Sequence, residues 1–359
     1  MRVIVVGDGI VGAVTGYRLA AEGAEVILVD AGLAGQATAA GAGVVFPWPM
    51  GRTDWEEFWW AAAAQYPVLL DQLAADGEPD PGYSRVGAIT ITDDPSGLAA
   101  GAEMIRSLRE RDPSVGDVEV LGAGEPAQRF PALRSDLSGV FVSGVGRVDG
   151  RLLREALLRA AERHGARRIS GSARLVAART RVTGVEVDGE VIGAHAVVVA
   201  AGAWAAELCR PLGVAVAVVP QRGQIAHLHL SDVDTSDWPV IRTSHEHYLL
   251  AFPGGNVVVG ATRETGSGFD YRQTAAGVHK ILSDALGVAP GLAEATLREV
   301  RIGFRPASVD GRPILSAPEN VAGLVVATGL GASGLTLAPL TGTLAADLVL
   351  GRPVPDLLG

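Results

Sequence analysis

Three glycines near the amino terminus carry the first chemical suggestion. Gly7-Asp8-Gly9-Ile10-Val11-Gly12 spaces them as G-x-G-x-x-G, directly after the apolar run Arg2-Val3-Ile4-Val5-Val6 and at the start of a helical pattern. In such a turn the first glycine permits the tight bend, the second lets backbone approach a pyrophosphate, and the third lets helix pack on strand. The helix start adds unpaired N–H groups and a partial positive charge for phosphate. Asp30, followed by Ala31, stands about twenty residues on, where a carboxylate holds ribose hydroxyls and repels a 2′-phosphate. A dinucleotide site follows, one that disfavours NADP. These residues alone leave FAD and NAD both open.

Other chemistry-bearing residues point less far. His227 and His229, and again His245 and His247, have H-x-H spacing, which puts each pair on one strand face and could bind a metal. Without a carboxylate partner, strand alternation in a core or rim explains them better, and no metal is expected. Cys209 is the single cysteine, which excludes an intrachain disulfide and a thiolate cluster and fits a reducing cytosol. It reads as a small buried hydrophobe. Lys280 is the one lysine among 30 basic residues, so little is left for Schiff-base chemistry.

The elements that must position these groups begin with a strand at 2–6, a helix at 10–22 and a strand at 25–29, a βαβ unit with a right-handed crossover. From about 45 the texture changes. Trp48, Trp55, Phe58, Trp59 and Trp60 crowd one stretch, followed by a helix at 61–75, loops rich in proline and glycine, and a short strand at 86–92. An amphipathic helix at 147–165 leads to strands at 172–178, 181–187 and 196–200. Looser alternation at 214–230 and 248–260 suits a mixed or antiparallel sheet, and 273–287 reads as a helix. A strand at 323–327, a glycine-rich loop and a helix at 336–350 close the chain.

Composition bounds the answer. The chain has 359 residues, 48% hydrophobic and 19% charged, with a formal net charge of −10. Two packed domains are expected, and a disordered chain, a nucleic-acid binder and an acidic-membrane binder are all disfavoured. The apolar runs at 196–206 and 321–329 fall short of the roughly 20 residues of a bilayer span. The opening apolar run is too short for a signal peptide, so a cytoplasmic protein is expected.

Four further segments decide the cofactor: 35–45 (GQATAAGAGVV), 197–204 (VVVAAGAW), 303–314 (GFRPASVDGRPI) and 325–339 (VVATGLGASGLTLAP). In this order, over essentially the whole chain, they resemble the FAD-dependent D-amino acid oxidase superfamily, and most closely its glycine oxidase and sarcosine oxidase branch. The resemblance implies an α/β fold (α+β overall), with a Rossmann-like FAD-binding domain of residues 1–45, 146–220 and 300–359. A substrate domain of 46–145 and 221–299, built on a mixed or antiparallel sheet, would be inserted into it. By position, Gly7, Gly9, Ile10, Val11 and Gly12 would meet the pyrophosphate, with Asp30 and Ala31 at the adenosine ribose. Ala39, Ala40 and Gly41 would line the phosphates, although Thr38-Ala39-Ala40 keeps only one of the family's two hydroxyls. Gly43 and Val44 would lie near the isoalloxazine, Ala173 against adenine, and Ala201, Gly202 and Trp204 against the cofactor. Gly331, Ala332, Ser333, Gly334, Leu335 and Thr336 would offer backbone N–H groups and a helix start to the flavin pyrimidine end, where oriented dipoles stabilise negative charge. Cys209 does not match the cysteine that tethers flavin in sarcosine oxidases, so noncovalent FAD is expected.

The resemblance also assigns the substrate side. Arg305, in GFRP, would clamp a carboxylate in its planar fork beside the flavin, and Tyr248 matches the family's pocket tyrosine. Glycine oxidases carry a second arginine where Ala332 stands, so one anchor is lost and space is gained. Arg52 could replace it, though an exposed loop arginine is the commoner case, and Trp48, Met50, Trp55, Phe58 and Trp59 could wall an apolar pocket, though an aromatic cluster at helical spacing is more often core. The implied reaction is oxidation of a small amino acid or an N-substituted glycine: hydride leaves Cα for flavin N5, the imine hydrolyses, and O2 reoxidises the flavin, giving H2O2. No lysine matches the one sarcosine oxidases place near the flavin for the oxygen step. A D-amino acid dehydrogenase using another acceptor therefore stays open, as does, at greater distance, an NAD-dependent dehydrogenase. Oligomeric state is not readable.

Overall fold

The structure is a computed structural model, and residues 1–49, 53–243 and 247–358 are described. Six strands form a sheet in the spatial order Ile314–Ser316, Leu324–Thr328, Ala196–Val199, Arg2–Val6, Glu25–Asp30, Arg167–Ser170. All pair in parallel except the edge strand Ile314–Ser316. Val3, Ile4, Val5, Val197, Val198 and Val199 are fully buried, as β-branched residues are in a sheet covered on both faces.

The helix Ile10–Ala21 crosses this sheet at close range because its contact side is nearly bare. A Cβ on Gly12 would meet the Gly7 carbonyl oxygen at 1.8 Å, and one on Gly16 would meet Leu28 at 3.0 Å. On its far side lies the helix Gly334–Val349, where a Cβ on Gly342 would come 2.6 Å from Val14. Residues Gly331–Val349 are apolar and long enough to cross a membrane by length and composition. They pack instead inside the core, between Ile10–Ala21 and the long helix Glu56–Ala75.

A second sheet of nine strands stands beside the first. Its centre is a long antiparallel pair, Val218–His229 with Thr296–Ser308, continued through Asn256–Gly260, Tyr248–Phe252, Val240–Arg242 and Ala88–Thr92. Both long strands belong to this sheet, and they run across the expected domain boundaries at 220–221 and 299–300. The 13-residue strand Thr296–Ser308 was not expected, because Gly303 and Pro306 break its alternation. It forms because Val218–His229 supplies an edge along its whole length and because Ile302 and Phe304 are buried in a small apolar cluster with Ala203, Trp204 and Phe269. The stretch read as loops also holds the helix Leu98–Arg111 and the strands Val118–Leu121 and Ser138–Val142. Its helix begins at Glu56, ahead of the expected position 61. The aromatic cluster of that stretch is core: Trp48, Trp55, Phe58, Trp59 and Trp60 are all buried in one apolar cluster.

Below the glycine turn, Arg159 and Arg163 on the helix Gly150–Arg163 close on the buried carboxylate of Glu78. Their hydrogen bonds and charge hold the Glu78 pKa down to about 2. A carboxylate with a depressed folded pKa contributes stability above its unfolded value and loses it as pH falls through the folded one. Both arginines are half exposed, so we discount the full linkage energy to about 2 kcal/mol. Glu78→Gln is expected to lower unfolding free energy by that amount at pH 7, with the gap to the parent shrinking as pH drops from about 4.5 toward 2. Urea unfolding of both proteins at several pH values measures it, and a gap independent of pH would contradict it.

Candidate active site

The two sheets enclose a cavity of about 660 Å³, well inside the usual range for a ligand site. On the nucleotide-sheet side its wall carries Gly7, Gly9, Ile10, Val11, Asp30, Ala31 and Ala173. Ala40, Gly41, Gly43 and Val44 continue it, with Ala201, Gly202 and Trp204, and then Gly331, Ala332, Gly334 and Leu335. On the nine-stranded side it carries Tyr248 and Arg305. The structure thus brings most of the expected residues to one surface.

The others lie elsewhere. Gly12 is behind the wall, where its missing side chain lets the helix sit on the Gly7 carbonyl. Ala39 faces away, its carbonyl accepting from Arg151 Nε at 3.0 Å. Ser333 precedes the last helix, and Thr336 is buried, its hydroxyl 3.4 Å from both Phe46 N and Val44 O. Trp48 packs edge-on against Phe46 in the core cluster and is absent from the cavity wall, so the core reading stands and the pocket alternative does not. Met50, Arg52 and His245 fall outside the described residues.

The local geometry shows what each element supplies. Asp30 ends its strand with the carboxylate accepting from Asp8 N (3.0 Å), Gly32 N (2.7 Å) and Gln36 Nε2 (2.8 Å). A carboxylate offers about four lone-pair sites, so capacity remains for a hydroxyl on the cavity side. The Thr38 hydroxyl accepts from Ile10 N at 3.0 Å and fixes the start of the first helix. The second position of the glycine turn, Asp8, is buried and paired with Arg154 and Arg168. Arg154 Nε also donates to the Asp8 carbonyl at 2.7 Å, which ties the turn to the neighbouring helix.

Two helix starts reach the cavity, at Gly9 and at Gly334, and neither has an acidic residue in its first turn or a side-chain cap. Both therefore present partial positive charge to whatever fills the space. Glycine at position 7, with φ +96° and Ala200 O only 2.5 Å from where a Cβ would stand, lets the turn lie directly against the backbone that follows Ala196–Val199.

On the opposite side, Arg305 is hydrogen-bonded to Tyr248 and donates from Nη1 to Thr262 O at 3.0 Å. Burial pushes the Tyr248 phenol above its ordinary pKa, with the charges of Arg305 and Arg263 opposing the shift. The phenol therefore keeps its proton at neutral pH. Arg263 also stands on the cavity wall and was missed in the sequence. The signal was the hairpin register: Tyr248 pairs with Gly260, so a residue three further on returns to the same region. Gln36 and Gly223 line the wall as well and were likewise not singled out, and Thr38, whose hydroxyl was noted in the sequence, joins them there.

The remaining candidates lie away from the cavity wall. Cys209 is fully buried and apolar surroundings raise its thiol pKa to about 11. Lys280 pairs with Asp284 at 2.6 Å on an exposed helix face. His227 and His247 are each held to about 4 by burial. No group of three or more metal-ligating side chains occurs among the described residues.

The parallel sheet, the glycine turn and the uncapped helix starts on one cavity define a dinucleotide-binding protein. Residues 2–348 match the family of FAD dependent oxidoreductases designated DAO, and the chain belongs to that family. It is similar to a glycine oxidase of Pseudomonas aeruginosa, 32% identical with 99% of this chain and 96% of the relative covered. It is also similar to an uncharacterized oxidoreductase, YurR, of Bacillus subtilis, 46% identical over 97% and 95% of the two chains. Among solved structures it is similar to the iminodiacetate oxidase of Chelativorans sp. BNC1, at 46% identity and a TM-score of 0.95, covering 99% and 97%. The chain is therefore an FAD-dependent, amine-oxidising enzyme. The residues present fit the cofactor: two positive helix starts suit a pyrophosphate and the electron-rich pyrimidine end of the flavin.

Proposed function

We propose that this enzyme oxidises an N-substituted glycine whose N-substituent carries a second carboxylate. The observation that carries the reading is the pair of guanidinium groups, Arg305 and Arg263, on one cavity wall with Tyr248 close to both. Two cations at a small-molecule site match a dianion, and planar forks grip carboxylates in fixed orientation. The similarity to an iminodiacetate oxidase supports the same choice.

In this reading residues 1–45, 146–220 and 300–359 hold FAD noncovalently, through Gly7, Gly9, Asp30 and the Gly331–Leu335 turn, while 46–145 and 221–299, joined by Arg305 from the last of those FAD segments, supply the substrate wall. FAD, when bound, accepts the hydride from the substrate Cα–H. Arg305 holds the glycine carboxylate and so fixes the direction of that bond, an orientation effect. Tyr248, protonated at working pH, donates to the same carboxylate or accepts from the amine. Arg263 takes the second carboxylate. The imine then hydrolyses to an amine and an oxo-acid. Dioxygen is the proposed acceptor, in a cytoplasmic setting; peroxide released in step with substrate supports it, and turnover only with an artificial dye would make the enzyme a dehydrogenase.

Arg263 is more exposed than Arg305, so its contribution is the smaller one. Arg263→Ala is expected to raise KM for iminodiacetate about tenfold while changing KM for sarcosine less than about twofold, as befits a charge-assisted contact worth 1.5–3 kcal/mol, partly screened. Steady-state kinetics on both amines provide the check, and equal losses on both would remove the second-carboxylate assignment.

A further inference from the structure

The clamp residue needs a seat, and that seat lies on the neighbouring strand. In the antiparallel pair of Val218–His229 with Thr296–Ser308, Gly223 stands opposite Gly303, and Gln221 opposite Arg305. Gly223 and Arg305 therefore share a sheet face as diagonal neighbours, within reach of a long side chain. A Cβ built on Gly223 would come 2.5 Å from Arg305 Nη1, 2.7 Å from Cζ and 2.7 Å from Nη2. The guanidinium occupies the space of the missing side chain.

The other anchor is equally fixed. Arg305 donates to Thr262 O, and Thr262 is buried. Its hydroxyl accepts from Gln224 N at 2.9 Å and donates to Glu264 at 2.7 Å. Gln224, fully buried, donates to Glu264 at 2.7 Å and to Thr274 at 2.9 Å and accepts from Thr274 N at 3.0 Å. The carbonyl that receives the guanidinium thus belongs to a satisfied and rigid polar block.

We propose that Gly223 is a positioning residue for carboxylate capture: its bare α-carbon lets the Arg305 guanidinium lie flat on the strand at the cavity wall. The inference rests on the reading of Arg305 as the carboxylate clamp. Gly223 is not in the left-handed region of backbone space, so alanine fits its conformation, and the atoms that would yield are the tip of a flexible side chain. Substitution moves the clamp without breaking the fold.

Oxydiacetate, an ether analogue with no oxidisable C–N bond, is the probe, with binding to holoenzyme read by perturbation of the flavin spectrum and by calorimetry. Gly223→Ala is expected to retain FAD and thermal midpoint and to weaken oxydiacetate about tenfold or more, while Arg305→Ala weakens it about a hundredfold. The double variant is expected to match Arg305→Ala within about twofold, because the Cβ acts only through the guanidinium. In turnover, Gly223→Ala should raise KM more than it lowers kcat. If Arg305→Ala leaves oxydiacetate binding unchanged, the clamp reading itself fails. If Arg305→Ala weakens it but Gly223→Ala does not, or if the two losses multiply in the double variant, Gly223 has no positioning role.

Discussion

Arg305→Ala is expected to cut kcat/KM by a factor of about 10² to 10³ while the purified protein stays yellow. The side chain is half-buried on the cavity wall, with Tyr248 and Thr262 already fixing its plane. Truncating one partner of a desolvated, hydrogen-bonded charge pair costs about 2–5 kcal/mol, and each 1.36 kcal/mol of barrier is tenfold in rate. Part of that loss is orientation, because a carboxylate without its fork no longer points Cα at a fixed partner. Arg305→Lys should recover only a minor share, since an ammonium restores charge but not two parallel hydrogen bonds. The cofactor wall on the other sheet is untouched, so the 450 nm band should persist. Anaerobic mixing with substrate, followed by the loss of that band, separates binding from oxidation. A variant that oxidises iminodiacetate at the parental rate would move the clamp elsewhere.

The nucleotide half of this molecule was legible because local physics writes it. Val3 to Val6 have no use except in a sheet buried on both faces, and Gly7, Gly9 and Gly12 have no use except where backbone must come close. Asp30 could be placed by counting along one βαβ unit. The substrate half was less legible, since its chemistry depends on register between strands far apart in sequence. Arg305 and Tyr248 entered only through a family pattern, and Arg263 and Gly223 did not enter at all, because a single arginine or glycine carries no periodicity. Their meaning appears once Gly223 is found opposite Gly303 and Tyr248 opposite Gly260. Trp48 shows the converse limit: composition marks a large aromatic as buried but does not say whether core or ligand covers it.

The glycine turn allows cofactor binding to be separated from folding, and this gives the second large effect. A Cβ on Gly9 would meet nothing nearer than Thr38 Oγ1 at 3.4 Å, while the residue itself faces the cavity. Gly9→Ala should therefore fold but place a methyl group where the pyrophosphate approaches the helix start. A Cβ on Gly12 would lie 1.8 Å from Gly7 O and 2.9 Å from Gly7 C, both backbone atoms that only move with the strand and helix. Gly12→Ala should therefore damage the unit whether or not cofactor is supplied. In numbers, Gly9→Ala is expected to weaken FAD by at least about a hundredfold, a loss of about 2.8 kcal/mol in binding. Its cofactor-free form should melt within a few degrees of the parental apoprotein. Gly12→Ala should give an apoprotein that melts well below the parent or does not accumulate in soluble form, as overpacking against backbone costs about 1–3 kcal/mol or more. Thermal melting of stripped proteins, with and without added FAD, reads both effects. A Gly9→Ala protein stabilised by FAD as strongly as the parent would place the pyrophosphate away from this turn, and with it the orientation of the whole cofactor relative to Arg305.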